Sequence, residues 1–276
     1  MEGIRLNKYS NELNGVEMKI AALSDIEQVA VLHELIDDTP FKTKSYNKYV
    51  HDEYYIRHNK QEIIHSDGKR ISLKQSENLP ECDLVKLIAG RDSLRDYANK
   101  DITFGQLSTL LHYSMGKKRV ARGAYDQREY PFRFCNSAGG LNHLDLYLLI
   151  NRVEGIESGL YYYDFIDDAL IQMDHGNMRS IISRINFQNE FSVYSNFVAV
   201  VVSDLSRIVP KYYKRAYRMA HVDSGIAMAY MQILGEYLGV SSCIIAGFLE
   251  NEIEHLLHLT ENDYPIATMS FGVRNK

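Results

Sequence analysis

Two arginines and a serine occupy alternate positions in the segment GRDSLRDY. If this segment is extended, Arg91, Ser93 and Arg95 point to one side, because successive strand residues face opposite sides. Guanidinium groups bind phosphate oxygens in pairs, so the pattern predicts a phosphate cradle. The alternative is a salt-bridged surface segment, because Asp92 and Asp96 stand beside the arginines.

A turn of small residues precedes a predicted strand further along the chain. Ser137, Ala138, Gly139 and Gly140 leave their backbone amides open to approach, since hardly any side chain stands in the way. A flat ligand could lie against such a turn. The pattern is not GxGxxG, and a tight turn without a ligand is the alternative reading.

The segment from Lys211 to Gly239 has the pattern of one long helix. Pro210 is suited to its start and Gly239 to its end. At ~1.5 Å per residue such a helix would span roughly 40 Å. Gly225 and Gly235 interrupt it, which is typical of places where something approaches the backbone closely. The predicted buried stripe consists of Met219, Val222, Ile226, Ala229, Ile233 and Tyr237.

The first turn of this predicted helix is both basic and aromatic. Lys211 lies near other cations, which should favour its neutral form and make it a better general base. A solvated basic start to a core helix is the alternative. The residues concerned are Lys211, Lys214, Arg215 and Arg218 with Tyr212, Tyr213 and Tyr217.

Composition excludes several classes of protein. Net charge is −5 over 276 residues, so no nucleic-acid partner is expected. The N-terminal residues lack a signal-peptide core, and no apolar run is long enough for a membrane span. Three cysteines without CxxC spacing argue against a disulfide framework and a metal site. We therefore expect a cytoplasmic protein.

Apolar alternation and capping residues predict an α+β domain over 82–276, preceded by a helical or irregular extension over 1–81. Ser24 and Glu27 form a capping box for a helix over 19–37. The predicted buried residues of that helix are Ile26, Val29, Leu32, Leu35 and Ile36. Residues 117–134 are interpreted as a charged loop.

The remaining predicted elements alternate irregularly, which favours a mixed sheet between helical layers. Strands are predicted near Ile71 and over 144–153, 159–164, 169–173, 196–204, 241–248 and 268–273. Further helices are one that buries Leu84, Leu87 and Ile88, one capped by Thr103 and Gln106 that carries Leu107, Leu110 and Leu111, and 251–259.

The order of these blocks resembles the nitroreductase superfamily of flavin enzymes. The blocks are GRDSLRDY, RFCNSAGG, VEGIESGLYYYD, KYYKRAYR and LGVSSCIIAGF. More closely, the chain is similar to the azoline dehydrogenase branch, which includes the streptolysin-type maturation oxidases, and the similarity covers roughly 82–274. The resemblance implies a three-layer α-β-α fold with a mixed, mainly antiparallel sheet.

The resemblance also implies FMN bound at the interface of a homodimer. Arg91, Ser93 and Arg95 match the phosphate and ribityl motif, and Ser137, Ala138, Gly139 and Gly140 match the loop beside the flavin ring. Gly247 matches a glycine whose amide faces the ring, and Arg274 is a further phosphate ligand. Lys211 and Tyr212 match the pair regarded as catalytic in the azoline branch.

Several positions depart from the family pattern. Asn136 and His143 stand where prolines are usual, and Gly140 replaces an asparagine common in classical nitroreductases. The acid usually found before the helix glycine appears as Asp223. These departures bear on the substrate more than on FMN binding.

The resemblance implies oxidation of thiazoline or oxazoline rings to thiazoles or oxazoles in a ribosomally made precursor peptide, beside a cyclodehydratase. One alternative is an NAD(P)H-dependent reductase of nitro compounds or quinones. The other is a docking subunit without flavin in a peptide-modifying complex.

Overall fold

A sheet of seven strands forms the middle layer of the chain. The computed structural model describes residues 23–36, 65, 67–74, 79–123 and 128–275. The strands in chain order are β1 (Arg70–Ser72), β2 (Lys117–Arg122), β3 (Glu129–Arg133), β4 (Leu144–Ile150), β5 (Gly159–Asp164), β6 (Ala169–His175), β7 (Phe197–Asp204), β8 (Val240–Ile245) and β9 (Asp263–Val273). All of these except β2 and β3 belong to the seven-stranded sheet. Its order is β1-β6-β5-β4-β7-β9-β8, and every neighbouring pair is antiparallel.

Helices cover both faces of this sheet. They are α1 (Asp25–Ile36), α2 (Leu84–Gly90), α3 (Phe104–Met115), α4 (Arg179–Ile185), α5 (Val209–Tyr212), α6 (Ala216–Leu238) and α7 (Glu250–Leu257). Helices α3 and α6 pack on one face, and α4 and α7 pack on the other. The predicted α-β-α layering and mainly antiparallel sheet are confirmed, and the parallel pairing of Ser93 with Ser242 is an isolated bridge outside the named strands.

Strands β4 and β7, in the middle of the sheet, are buried on both faces. Leu146 and Leu148 of β4 enter the core beneath α3 and α6, whereas Tyr147 and Leu149 enter the core beneath α4 and α7. This follows from the period-2 alternation of side chains along a strand. A strand with two buried faces reads as a continuous apolar run, as the sequence of β4 does.

Local signals at two helix ends are confirmed. Thr103 and Gln106 form a reciprocal capping box at the start of α3. Gly239 ends α6 with a left-handed φ of 70°. At α1, Glu27 accepts hydrogen bonds from the backbone and side chain of Ser24, and the first of these is one half of the predicted capping box. Residues 19–22 and 37 of that predicted helix lie outside the described part of the chain.

The single long helix predicted from Lys211 is wrong. The chain forms the short helix α5, then a 3-10 turn over Tyr213–Arg215, and only then α6. Tyr213 has a φ of 51° and a ψ of −142°, a backbone region that strains any residue with a side chain. Apolar periodicity depends on the spacing of side-chain types. It therefore continues through a break at which a single residue leaves the helical backbone region.

The apolar stripe predicted for α6 does not face the sheet. Val222 is 54% exposed, and the rest of the predicted stripe is half-buried or exposed. The buried side is built mostly from small residues, which let the helix approach the sheet closely. It consists of Ala216, Ala220, Asp223, Ser224, Ala227, Met228, Met231 and Gly235.

The two glycines of α6 differ in their surroundings. A Cβ on Gly235 would stand 2.6 Å from the carbonyl oxygen of Val240, so this glycine permits a close approach of helix and strand. A Cβ on Gly225 would meet nothing within 4 Å in the single chain. The prediction of close approach is therefore confirmed at Gly235, and Gly225 lies on the outward side.

Helices α1 and α2 expose most of the residues that are predicted to be buried, while Ile36 and Leu87 are half-buried. Ile26 is 75% exposed in α1, and Leu84 and Ile88 are 57% and 54% exposed in α2. Periodicity identifies the apolar side of a helix but not what covers it. The apolar stripes of α1, α2 and α6 thus all reach the surface of the single chain. The exposed members are Ile26, Val29, Leu32, Leu35, Leu84, Val85, Ile88 and Val222.

The interpretation of 117–134 as a loop is wrong, because β2 and β3 pair as an antiparallel hairpin. Arg119 lies opposite Phe132, and its guanidinium carbon is 5.5 Å from the ring centroid. Such cross-strand cation–aromatic pairs stabilise a strand of unusually high charge.

In the described ranges, no helix is long and apolar enough to cross a bilayer.

Candidate active site

The small-residue turn forms a rigid loop between β3 and β4. Gly139 and Gly140 have φ values of 61° and 71°, which glycine adopts without strain. Ser137 closes the turn twice: its carbonyl accepts from the amide of Gly140, and its hydroxyl accepts from the amide of Asn142 at 2.8 Å. The turn is therefore held by hydrogen bonds within itself, and its own side chains are small.

Lys211 and Tyr212 reach this loop from α5. A Cβ placed on Gly139 would stand 2.8 Å from Lys211 Nζ and 2.8 Å from Tyr212 Oη. The ammonium nitrogen is also 5.1 Å from the centre of the Tyr212 ring. The structure thus brings together the predicted catalytic pair and the predicted flavin loop, although 70 residues separate them in sequence.

A small apolar cluster fixes α5 against the loop. Leu141, directly after the loop, packs with Ile208, directly before α5, and with Ala216 and Ala220 at the start of α6. Tyr212 packs against the same cluster. Burial of this cluster therefore sets the distance between the loop and the pair.

Burial lowers the pKa of Lys211 from its ordinary value. Its side chain is only 6% exposed, and a low-dielectric environment disfavours the charged form. The direction agrees with the sequence prediction, but its cause is desolvation and not the neighbouring cations. A lysine whose neutral form is favoured in this way is suited to accept a proton.

A buried chain of polar groups supports the loop from behind. The Asp223 carboxylate accepts a hydrogen bond from the amide of Ala138 at 2.5 Å. The same oxygen lies 2.9 Å from His143 Nε2, and His143 Nδ1 lies 2.9 Å from the hydroxyl of Ser203. His143 and Ser203 are fully buried. This Asp223–His143–Ser203 relay connects the loop to α6 and to β7.

The relay was missed from sequence, although two of its members stood out there as departures from the family pattern. His143 stands at a proline position and Asp223 is displaced before the helix glycine, and the two side chains contact each other at 2.9 Å. Buried polar groups are almost always hydrogen-bonded. Two unexpected polar residues on buried elements could therefore have been predicted to contact each other.

A cavity of about 320 Å³ opens at the loop. Arg133 and Cys135 line it from the end of β3, and Asp223 lines it from α6. Burial lowers the pKa of Arg133 and raises that of the Cys135 thiol. The full lining is Phe132, Arg133, Cys135, Asn136, Ser137, Ala138, Gly140, Asn142 and Asp223.

The predicted phosphate motif lies along the edge of the sheet. The amide of Leu94 donates to the carbonyl of Ser242 at 3.2 Å, and Tyr97 bridges to Arg274. Arg91 is half-buried, and Ser93 and Arg95 are exposed. The segment is therefore extended as predicted and is anchored on β8 and β9.

Arg95 contacts an aromatic ring, and the other two predicted cofactor-binding residues, Gly247 and Arg274, each have a polar contact of their own. The guanidinium carbon of Arg95 is 5.6 Å from the Phe191 ring centroid, and Asn189 donates to the carbonyl of exposed Gly247 at 3.1 Å. Arg274 is 3.6 Å from the Glu236 carboxylate, so an anion bound there would compete with that acid.

The two sets of predicted site residues lie at opposite ends of α6. The loop contacts Asp223 near its start, whereas Arg274 contacts Glu236 near its end. At ~1.5 Å per residue these two contacts are about 20 Å apart along the helix. The single chain therefore holds two separate sets of predicted site residues, which we call half-sites: one has Lys211, Tyr212 and the loop, and the other has the arginines.

Comparison with known proteins gives a family assignment. The sequence model described as the nitroreductase family matches residues 88–273, which is more than half of the chain. The chain belongs to the nitroreductase family. This family consists of oxidoreductases that generally bind a flavin, and the match includes both half-sites except Arg274.

Two proteins similar to this chain agree with the family assignment. A Methanocaldococcus jannaschii protein named as a nitroreductase is 24% identical over 197 residues, which cover 70% of this chain and 94% of that protein. A crystal structure of a nitroreductase-type protein from Anabaena variabilis has a TM-score of 0.62 at 22% identity. It covers 81% of this chain, which itself spans only 47% of that longer chain.

A third relative extends beyond the family match. A chain of the E. coli microcin synthetase McbBCD complex with truncated pro-MccB17 bound has a TM-score of 0.56 at 15% identity. The superposition covers 94% of this chain and 97% of that one. At this identity the likeness shows a shared fold.

Replacing Asp223 with alanine is expected to destabilise the protein by about 2–4 kcal/mol, because Ala138 and His143 would each lose a buried partner. Asp223→Asn keeps an acceptor for the Ala138 amide and should lose less. Urea unfolding measures the free energy, and proteolysis near 136–140 reports on the loop. Ser224→Ala is the matched control, because this neighbouring hydroxyl is fully buried without a hydrogen-bond partner. Equal stability of the Asp223→Ala and Ser224→Ala variants would contradict a supporting role for the relay.

Proposed function

We propose that this chain is an FMN-dependent dehydrogenase that oxidises thiazoline or oxazoline rings to thiazoles or oxazoles in a ribosomally made peptide. The observation that carries the proposal is the convergence of Lys211 Nζ and Tyr212 Oη on Gly139. A proton acceptor and a phenol lie beside a loop of small residues. This arrangement is suited to the removal of a proton from a flat ring.

The residues present fit FMN on two structural grounds. The cavity of about 320 Å³ is lined by the small residues Ser137, Ala138 and Gly140, and the positive φ of Gly140 excludes most other residues without strain. At the other half-site, exposed Arg95 belongs to a segment that is anchored on the sheet. We infer that Ser137, Ala138, Gly139, Gly140 and Gly247 would hold the ring, and that Arg91, Ser93, Arg95 and Arg274 would hold the anionic tail. FMN, when bound, supplies the two-electron oxidation.

The chain's own residues supply proton transfer and orientation. Lys211, whose lowered pKa favours the neutral amine, would take the proton from the ring carbon. Tyr212 would donate a hydrogen bond to the heterocycle and hold it over Gly139. The Asp223–His143–Ser203 relay would keep the loop in place during the reaction.

We propose that the complete site forms between two copies of the chain. The half-sites are about 20 Å apart along α6 in one chain, so one copy would supply the arginines and the other the lysine. The outward apolar residues of α6, α1 and α2 support such a homodimer, because exposed apolar patches mark interaction surfaces. Gly225 on the outer side of α6 would permit close approach of the partner.

Differently tagged chains test the shared site. One chain carries Arg95→Ala, which alone should weaken FMN retention, and the other carries Lys211→Ala. If sites are shared, the purified heterodimer keeps one intact site of two and about half of the wild-type activity. When both changes are placed on one chain and paired with wild-type, each site is damaged and activity should be lost. Half of the wild-type activity in this second arrangement, with none in the first, would place the site within one chain. A strictly monomeric protein would contradict the proposed dimer.

Membership in the nitroreductase family favours one alternative, an NAD(P)H-dependent reductase of nitro compounds or quinones. Stopped-flow reduction of bound FMN by NADPH and by an azoline peptide, each without oxygen, separates the two. Fast reduction by the peptide supports the dehydrogenase, and fast reduction by NADPH alone overturns it. Purified protein without FMN absorbance would instead favour a docking subunit.

We also propose that the enzyme works beside a cyclodehydratase that forms its azoline substrate. The similarity of fold to a chain of the microcin synthetase complex, which holds truncated pro-MccB17, supports a peptide substrate within an assembly. Co-purification of the chain with a cyclodehydratase and a Cys- or Ser-rich precursor is the corresponding test. The division of the chain at residue 81 likewise stays a proposal.

A further inference from the structure

The hairpin of β2 and β3 carries a strong local charge. We call residues 117–123 and 128–133 the basic hairpin. Of its exposed or half-buried ionisable residues, five are basic and one, Glu129, is acidic, although the whole chain has a net charge of −5. The five are Lys117, Lys118, Arg119, Arg122 and Arg128. This surface would attract an acidic partner even though the protein as a whole would repel one.

The backbone of the basic hairpin offers one usable edge. Within the described residues, β2 pairs only with β3, and the two form a sheet separate from the seven-stranded one. Pro131 lies in β3 and lacks an amide hydrogen, which makes the outer edge of β3 a poor partner for another strand. The outer edge of β2 is therefore the one that can receive an extended chain.

The hairpin leads directly to the candidate site. Phe132 and Arg133, at the end of β3, line the cavity together with the loop residues Ser137 and Ala138. Arg119 of β2 lies over the Phe132 ring, so the cationic surface reaches the edge of that cavity. A chain lying along β2 would thus be guided toward the loop beside Lys211.

We propose that the basic hairpin binds an acidic, extended stretch of the peptide substrate as an added strand on β2. The inference rests on the proposed function in that it names part of the same substrate. Charge complementarity selects carboxylates, and an open strand edge pairs with the backbone of a peptide. A nucleic acid could satisfy the charges but not the edge, which favours the peptide.

Fluorescence anisotropy with the full chain and a labelled synthetic peptide of alternating Glu and Ser tests the inference. We expect saturable binding that weakens with added salt, as contacts between exposed charges do. The same peptide with Gln in place of Glu should bind about tenfold more weakly or worse. An equally charged peptide with alternate N-methylated amides should also bind weakly, because it cannot pair as a strand. Equal binding by either analogue would overturn the proposal.

Variants of the hairpin provide the second arm. The Lys118→Glu and Arg119→Glu double variant should lose at least about tenfold in affinity. Lys69→Glu with Lys74→Glu is the matched control, because both lysines are exposed, lie beside β1 and change net charge equally. Equal loss in both double variants would overturn a local site, and thermal unfolding confirms that both fold.

Two other occupants are tested in the same assay. A single-stranded oligonucleotide of equal charge that binds as tightly as the Glu peptide would overturn peptide recognition. A change in oligomeric state on size-exclusion of the hairpin variant would assign the surface to a second copy of the chain. None of these measurements uses FMN or an azoline, so failure here is distinguishable from failure of the proposed dehydrogenase activity.

Discussion

Replacement of Lys211 with alanine is expected to lower azoline oxidation by about 10²–10⁴-fold while FMN stays bound, because loss of a positioned general base has effects of this size. Lys211 belongs to the half-site with the loop, not to the arginine half-site that would hold the anionic tail. Turnover is measured by mass spectrometry as loss of two hydrogens per ring, and flavin content by absorbance. Lys86→Ala is the matched control, because this exposed lysine on α2 pairs with Asp83 far from the loop.

The pH dependence of the wild-type reaction provides an independent check. Burial holds the pKa of Lys211 below its ordinary value, and the base acts in its neutral form. Activity should therefore rise with pH through that lowered pKa and reach a plateau before an ordinary lysine would deprotonate. Loss of FMN in Lys211→Ala would move this residue from catalysis to cofactor binding. Unchanged turnover would remove it from the mechanism.

Gly139→Ala is the second change with a large expected effect. Its new methyl group would stand 2.8 Å from both Lys211 Nζ and Tyr212 Oη, so the pair must move away from the loop. Displacement of catalytic groups by about 1 Å can cost about 10²-fold in rate. We expect a loss of this order in azoline turnover, measured as for Lys211→Ala.

Gly155→Ala separates the effect of this contact from that of backbone strain. Gly155 has a φ of 72°, similar to the 61° of Gly139, but a Cβ there would meet nothing within 4 Å. Both variants should lose about 1–2 kcal/mol of stability from the left-handed backbone. Only Gly139→Ala should also lose turnover. Equal turnover in the two variants would show that the close approach to Gly139 plays no part in the reaction.

Much of the scaffold could be predicted because its signals are local. The apolar runs of β4 and β7 identify strands buried on both faces, and the capping box of Thr103 fixes the start of α3. Such signals depend on neighbours within a few residues. The antiparallel order of the sheet followed from the family resemblance, since periodicity alone does not assign strand partners.

The candidate site was less accessible to sequence reasoning. The break at Tyr213 depends on one backbone angle that tertiary packing imposes against local propensity. Helix α6 has an apolar outer stripe and an inner side of small residues, and the larger residues gave the stronger signal. The contact of Lys211 with Gly139 joins distant segments, so the residue types indicated chemistry while only the resemblance connected them.

The length of α6 places a constraint on how this gene can change. The helix holds the loop contact at Asp223 and the arginine contact at Glu236 in a fixed angular relation. Inserting one residue between them would turn one end by about 100° against the other, because a helix has ~3.6 residues per turn. Descendants that keep the activity should therefore vary here by substitution alone, whereas additions and deletions accumulate in the connections between strands.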